Sequence, residues 1–144
     1  MRSEPIANRL VFLSFDLEHD ESERVHFCDQ LTNYARLFAV DDWSTTPGTA
    51  GSDREKAIRG KLGRCDLVII LVGKQTASAM NVKGEIALAM QTNVPFMGVL
   101  VGGADESTRL PAGLAPNRVA PMDWTRIADA VQQLMGEGKH HKFV

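Results

Sequence analysis

The chain has 144 residues, a length typical of one compact domain that can bury its own hydrophobic core. Its 16 basic and 18 acidic residues give a formal net charge of -2, which is too small to favour nucleic acid as a partner. The two cysteines, Cys28 and Cys65, lack a further cysteine or histidine at metal-ligand spacing, and the longest apolar run, LVIILV, is too short to cross a bilayer. These features predict a cytoplasmic protein with no metal site, no nucleic-acid partner and no membrane partner.

The spacing of apolar residues predicts strands and helices that alternate along the chain. The first strand, RLVFLSF, is β-branched and aromatic without strict alternation, which is typical of a strand covered on both faces. Asp20 is the expected N-cap of the first helix, Ser78 or Asn81 that of the third, and Asp123 that of the last. The predicted strands cover residues 9–15, 37–42, 66–72 and 95–101, with a short fifth strand at 117–121. The predicted helices cover residues 20–36, 52–62, 78–92 and 123–135.

This alternation predicts an α/β three-layer sandwich, with a small parallel sheet of four to five strands flanked by helices. Residues 1–135 are expected to form a single domain and residues 136–144 a flexible C-terminal tail. Parallel sheets of this kind bind ligands beyond the carboxyl ends of the strands, near the point where the strand order reverses. The polar loops after the first three strands, SFDLEHD, DDWSTTPG and GKQTAS, should therefore meet at one edge of the sheet.

Glu85 lies in the helix that follows the third strand, in the sequence NVKGEIALAM. At about 100° per residue, Val82, Ile86, Ala89 and Met90 share one face, and Glu85 falls at the border of that face. We therefore expect its carboxylate at the boundary between core and solvent, near the positive end of the helix dipole. An acid early in a helix is common, so periodicity alone leaves both a solubilising and a catalytic role open.

Three common enzyme classes lose their sequence support. The chain has no G-x-S-x-G, no phosphate loop ending in Lys-Ser or Lys-Thr, and no G-x-G-x-x-G after the first strand. A phosphate-accepting receiver domain would need an aspartate at the end of the third strand, where this chain reads LVGKQT. Hydrolase, phosphate-loop, dinucleotide-fold and receiver functions are thus disfavoured.

Several segments together resemble one known family. VFLSFD, DDWS, RCDLVIILVGKQTASAMNVKGEIALAM and PFMGVLV are similar in order and spacing to the TIR-like domain of Thoeris anti-phage ThsB proteins, over residues 9–101. The resemblance implies a flavodoxin-like fold and an enzyme that cleaves the nicotinamide glycosidic bond of NAD, its substrate, without a separate cofactor. Glu85 in VKGEI matches the catalytic glutamate of enzymatic TIR domains.

The same resemblance implies a substrate-binding edge and partners. Thr76 and Ser78 would orient Glu85 or cap its helix, and the loop that begins at Asp42 would join neighbouring subunits. Members of the ThsB type make an ADP-ribose signal, cyclic or related, that activates a separate effector protein. The residues implied to bind substrate are Ser14, Phe15, Asp16, Asp42, Trp43, Ser44, Thr76 and Ser78.

Two other functions stay open on the residues alone. The chain could be a non-catalytic interaction module of the same fold, in which Glu85 has no chemical role. It could also be a nucleoside deoxyribosyltransferase-like enzyme, which uses a glutamate on the anomeric carbon of a sugar.

Overall fold

The computed structural model describes residues 9–34, 37–45 and 52–137, and side chains from residue 55 onward in the last of these ranges up to residue 136. Within these ranges the sheet has five strands, β1 (Leu10–Ser14), β2 (Ala39–Trp43), β3 (Leu67–Val72), β4 (Phe96–Leu100) and β5 (Val119–Ala120). The helices of the same ranges are α1 (Glu21–Leu31), α2 (Ser52–Arg64), α3 (Met80–Gln91) and α4 (Trp124–Glu137). The expected tail at residues 136–144 lies mostly outside the described residues, and α4 continues to Glu137.

All neighbouring strands of the sheet are parallel, in the order β2-β1-β3-β4-β5. The chain moves outward from β1 to β2, then crosses back to β3 and continues away to β5. The strand order therefore reverses between β1 and β3, where sheets of this kind open a crevice at their carboxyl edge. The predicted α/β three-layer fold with a parallel sheet is confirmed.

Both faces of the sheet are covered because the central strands are apolar on both sides. Leu67, Ile69 and Leu71 of β3 pack with α1 and α4, whereas Val68 and Ile70 pack with α2 and α3. On the α1 side the Phe27 and Trp124 rings lie 4.9 Å apart between centroids, which joins α1 to α4. All six residues of β3 are buried, as the run DLVIILV predicts.

The N-caps agree with the predictions for α1 and α4 and differ for α3. Asp20 is the N-cap of α1, although its side chain makes no cap hydrogen bond, and α3 begins after Ala79, which has no side chain able to cap it. The predicted caps Ser78 and Asn81 are wrong because a short 3₁₀ helix, Thr76–Ser78, comes immediately before α3 and shifts its start. Asp123 caps α4 as predicted, since its carboxylate accepts the backbone N–H groups of Thr125 and Arg126.

Candidate functional site

Glu85 lies in the second turn of α3 with only 2% of its surface exposed. Its Oε1 accepts hydrogen bonds from the Ser14 hydroxyl at 2.6 Å and from the Ser44 hydroxyl at 2.7 Å. The predicted position at the boundary of core and solvent is wrong, because residues from the ends of β1 and β2 cover the carboxylate. Met90, predicted to share the buried face, is 45% exposed. A carboxylate is costly to bury unless polar groups surround it, and here two hydroxyls do so.

The register of the sheet brings the two serines together. β1 and β2 pair as Leu10 with Ala39, but the register shifts by one residue after Val11, so that Leu13 pairs with Trp43. Ser44 then follows beside Ser14, and its backbone N–H donates to the Leu13 carbonyl at 2.9 Å. Without the shift, Ser14 would be level with Trp43, and Glu85 would lose one of its two hydroxyl donors.

Asn81 connects Glu85 to the backbone after β1. Its side-chain amide donates to the Phe15 carbonyl at 2.9 Å and contacts Glu85 Oε2 at 3.4 Å, one helical turn away. The Phe15 N–H in turn donates to the Ser44 hydroxyl at 3.2 Å. Phe15 therefore contributes its backbone to the site, while its ring is fully buried in the core.

Asp16 holds a histidine. One carboxylate oxygen accepts the backbone N–H of Glu18 at 3.0 Å, and the other lies 2.7 Å from Nδ1 of His19. Asp16 is buried, whereas the His19 side chain is 39% exposed. The hydrogen bond that Asp16 accepts from the ring raises the pKa of His19. The negative charges of Asp16, Glu18 and Asp20 raise this pKa further, while partial desolvation lowers it.

Thr76 lies with Asp20 and not with Glu85. Its hydroxyl accepts the Gly73 N–H at 2.7 Å and donates to Asp20 at 3.1 Å, and burial raises the pKa of the Asp20 carboxyl. A Cβ on Gly73 would lie 2.5 Å from the Asp20 carboxylate, so this close approach requires glycine. Ser78 is exposed and accepts a hydrogen bond from Arg109. The expectation that Thr76 and Ser78 orient Glu85 is therefore wrong.

Trp43 and Asp42, at the end of β2, contact residues of α1 and α2 instead of Glu85. The Arg24 guanidinium lies over the Trp43 ring, 4.4 Å from its centroid, and is paired with Glu21. Asp42 is paired with Lys61 and Arg64 at 3.5 Å each. Trp43 thus packs the end of β2 onto α1, and Asp42 connects β2 to α2.

No metal-binding cluster of three or more histidine, cysteine or acidic side chains occurs in the part of the chain that the structure describes. In the same part, no helix is long and apolar enough to span a membrane. Two cavities of about 560 and 700 Å³ lie at the ends of β4 and β5, and neither is lined by Glu85. We nevertheless place the candidate site at Glu85. Burying a carboxylate costs free energy even among hydroxyl donors, whereas forming an apolar cavity does not, so the buried carboxylate is the stronger indication of function.

Sequence reasoning missed three residues of this edge, Asn81, His19 and Arg24. Asn81 and Glu85 are four residues apart on one predicted helix, so their contact could have been found. The spacing of Asp16 and His19 in SFDLEHD gives a weaker signal, since it depends on the turn that brings them together. Nothing in the sequence places Arg24 on Trp43, because that contact joins separate elements.

Comparison with known proteins gives a family and a fold. The sequence model of the family described as Thoeris protein ThsB, TIR-like domain, matches residues 12–106. A putative pilus assembly-related protein from Burkholderia pseudomallei K96243 has a similar structure, with a TM-score of 0.60 at 13% identity over 99% of this chain and 100% of the other. The TIR domains of the activated Roq1 resistosome, which directly recognizes the pathogen effector XopQ, give a TM-score of 0.50 at 16% identity over 92% of this chain and 86% of theirs. No curated protein matches the sequence significantly.

Proposed function

Because the chain belongs to the TIR-like domain family of the Thoeris defence protein ThsB, we propose that it cleaves NAD and produces an ADP-ribose signal. The observation that supports this proposal is the buried Glu85 carboxylate, held by hydroxyls from the ends of β1 and β2 at the switch point of the sheet. NAD is the substrate, and the reaction uses no other cofactor.

The chemistry needs a fixed negative charge more than it needs an acid. When the glycosidic bond of NAD breaks, its electron pair neutralises the pyridinium ring, so nicotinamide leaves without a proton. The ribose that remains has oxocarbenium character, and an ionised carboxylate beside it stabilises the transition state. Glu85 is the group in this site that carries out that role in the proposed reaction.

The hydrogen bonds of Glu85 hold its carboxylate in one orientation. Oε1 is occupied by Ser14 and Ser44 at 2.6 and 2.7 Å, which fixes the carboxylate in place. Oε2 has the longer contact, 3.4 Å to Asn81. In the proposed complex, the carboxylate that these contacts hold in place faces the ribose.

The product and its destination complete the proposal. The nucleophile that reaches the anomeric carbon is either water or another group of the same dinucleotide, which gives linear or cyclic ADP-ribose. A separate effector protein binds this signal. Self-association would use the loop that follows Trp43, of which residues 46–51 lie outside the part of the chain that the structure describes.

The test is to incubate the protein with NAD and, in parallel, with deoxynucleosides, and to separate the products by mass. We expect the wild type to release nicotinamide from NAD and to leave deoxynucleosides intact. Glu85→Gln should lower nicotinamide release by about a thousandfold or more, since it removes the charge that the transition state needs. The amide oxygen can still accept both serine hydroxyls, so the thermal unfolding midpoint should change little.

Glu106→Gln is the matched control, because Glu106 is exposed after β4 and lies outside the site. Its rate should equal that of the wild type. Sugar transfer between deoxynucleosides would instead identify a deoxyribosyltransferase. If Glu85→Gln cleaved NAD as fast as the wild type, the proposed mechanism would be rejected.

A further inference from the structure

We propose that His19, oriented by Asp16, is the proton acceptor for hydroxyl nucleophiles in the reaction proposed above. This inference rests on the proposed function and assigns a second catalytic residue, with Asp16 as its positioning residue. It begins from the arrangement of the two side chains after β1.

The hydrogen bond to Asp16 fixes which nitrogen of the ring can act. The Asp16 carboxylate already accepts the Glu18 N–H, and its other oxygen lies 2.7 Å from Nδ1 of His19. A carboxylate only accepts hydrogen bonds, so Nδ1 carries the proton of the neutral ring and Nε2 carries the lone pair. Within residues 9–34, 37–45 and 52–137, no group forms a hydrogen bond with Nε2. The basic nitrogen is therefore available to solvent or substrate.

The Asp16–His19 pair follows directly after the residues of β1 that contact the Glu85 site. Ser14 donates to Glu85, the Phe15 carbonyl accepts from Asn81, and Asp16 is the next residue. Since consecutive Cα atoms are about 3.8 Å apart, the Cα atoms of Ser14 and Asp16 lie within about 8 Å of each other. In our proposal, the sugar therefore lies between Glu85 and the turn that carries His19, at the carboxyl edge of β1.

The proposed step balances as follows in atoms and charge. The bond from the anomeric carbon to the nicotinamide nitrogen breaks, and its electron pair stays on the nicotinamide ring. A lone pair of a water or ribose hydroxyl oxygen forms the new carbon–oxygen bond, and the proton of that hydroxyl moves to Nε2 of His19. Asp16 stabilises the imidazolium that forms, which later returns its proton to solvent.

A nucleophile without a proton to lose provides the discriminating test. A weakly basic pyridine, such as 3-acetylpyridine, attacks the same carbon through its ring nitrogen and forms an exchanged dinucleotide. That reaction needs the charge of Glu85 but no proton acceptor. The ratio of hydroxyl-derived products to exchanged dinucleotide therefore isolates the role of His19 from binding and from nicotinamide departure.

The experiment measures both products by mass in the wild type, His19→Gln, His19→Asn and Asp16→Asn. We expect the histidine variants to lose about a hundredfold in hydroxyl-derived product, while pyridine exchange stays near the wild-type rate. In the wild type, the hydroxyl-derived rate should fall as pH drops through the pKa of His19, and exchange should not. The charged groups that act on His19 are Asp16, Glu18 and Asp20, all acidic, so Asp16→Asn should move this pH profile to lower pH.

His26→Gln is the control, because His26 is an exposed histidine of α1 whose ring is paired with Gln30. It should leave both products unchanged. Equal loss of both products in the His19 variants, or no loss of either, would overturn the proton-acceptor role while leaving the proposed function intact. Absence of nicotinamide release from the wild type, with and without the pyridine, would overturn the proposed function itself.

Discussion

Ser14 and Ser44 make similar hydrogen bonds to Glu85 but differ in what else they support. The Ser14 hydroxyl has Glu85 as its partner, whereas the Ser44 hydroxyl also accepts the N–H of Phe15. Replacing Ser44 by alanine therefore leaves a buried backbone donor without its acceptor. Comparing the activity and the unfolding free energy of the two alanine variants should therefore distinguish the roles of Ser14 and Ser44.

We expect Ser14→Ala to lower kcat/KM for NAD cleavage about tenfold, since one hydrogen bond to a charged group contributes about 1.5 kcal/mol. Ser44→Ala should lose a similar factor and, in addition, about 1–3 kcal/mol of unfolding free energy from the unpaired Phe15 donor. Steady-state kinetics and urea unfolding on both variants test this. Equal stability losses in the two variants would show that the Phe15 contact contributes nothing.

Asp20 gives a prediction about pH and stability. Burial raises the pKa of its carboxyl above the ordinary 3.8. At pH values between 3.8 and this raised pKa, the folded state therefore binds more protons than the unfolded state. Stability contributed by the protonated group is thus lost as pH rises from about 4 through the raised pKa. Asp20→Asn removes this loss and keeps an oxygen that can accept the Thr76 hydroxyl.

We therefore expect Asp20→Asn to be more stable than the wild type near pH 7, and the difference to shrink as pH falls toward 4. Urea unfolding at several pH values measures the trend. Asp29→Asn, an exposed change on α1, is the control and should show little pH-dependent difference. A stability difference that grew toward low pH would contradict the assigned cause.

At the scale of elements, the sequence predicts the strands and helices that have a periodic apolar pattern. It does not predict features that depend on how two strands pair. The apolar run DLVIILV identifies β3, and helical spacing places Glu85 in α3, because both signals lie within one segment. The burial of Glu85 follows from the register shift between β1 and β2, which aligns Ser44 with Ser14. Register is a property of two strands, and here no turn fixes it, since a whole helix separates them.

Gly84 provides a test of whether α3 needs an open surface beside Glu85. A Cβ at Gly84 would meet nothing within 4 Å, and the same holds for Gly60 in α2. Alanine should therefore raise the unfolding free energy at each position by up to about 1 kcal/mol, through helix propensity alone. Thermal unfolding of Gly84→Ala and Gly60→Ala measures this gain.

Activity then separates the two glycines. If Gly84 is only a tolerated helix residue, both variants should be more stable and as active as the wild type. Loss of NAD cleavage or of self-association in Gly84→Ala alone would mean that a ligand or a neighbouring copy approaches α3 at this position. Gly98→Ala is the opposite case, since its Cβ would lie 2.8 Å from Leu114, and it should destabilise the protein by about 1–3 kcal/mol.

At the scale of the whole molecule, the alternation of strands and helices is enough to predict the layers and the carboxyl edge where the loops meet. Of the residues expected at that edge, the structure brings Ser14 and Ser44 to Glu85, the Phe15 backbone to Ser44, and Thr76 to Asp20. The difference is physical, because each hydroxyl binds the nearest buried carboxylate and the sequence does not say which one is nearest.

Cys65 reports on the integrity of the whole fold. It is fully buried between β3 and α2, and burial raises the pKa of its thiol to about 12, with the negative charge of Asp41 adding to the effect. The thiolate is the reactive form, so at pH 8 the native protein should leave Cys65 unmodified by a thiol reagent. In Cys28→Ser, where Cys65 is the single thiol, labelling should require global unfolding, and its rate should rise with urea in step with the unfolded fraction. Rapid labelling of Cys65 without denaturant would mean that α2 separates from the sheet in the native state, and that the end of β2 carrying Ser44 is less firmly held than its hydrogen bonds indicate.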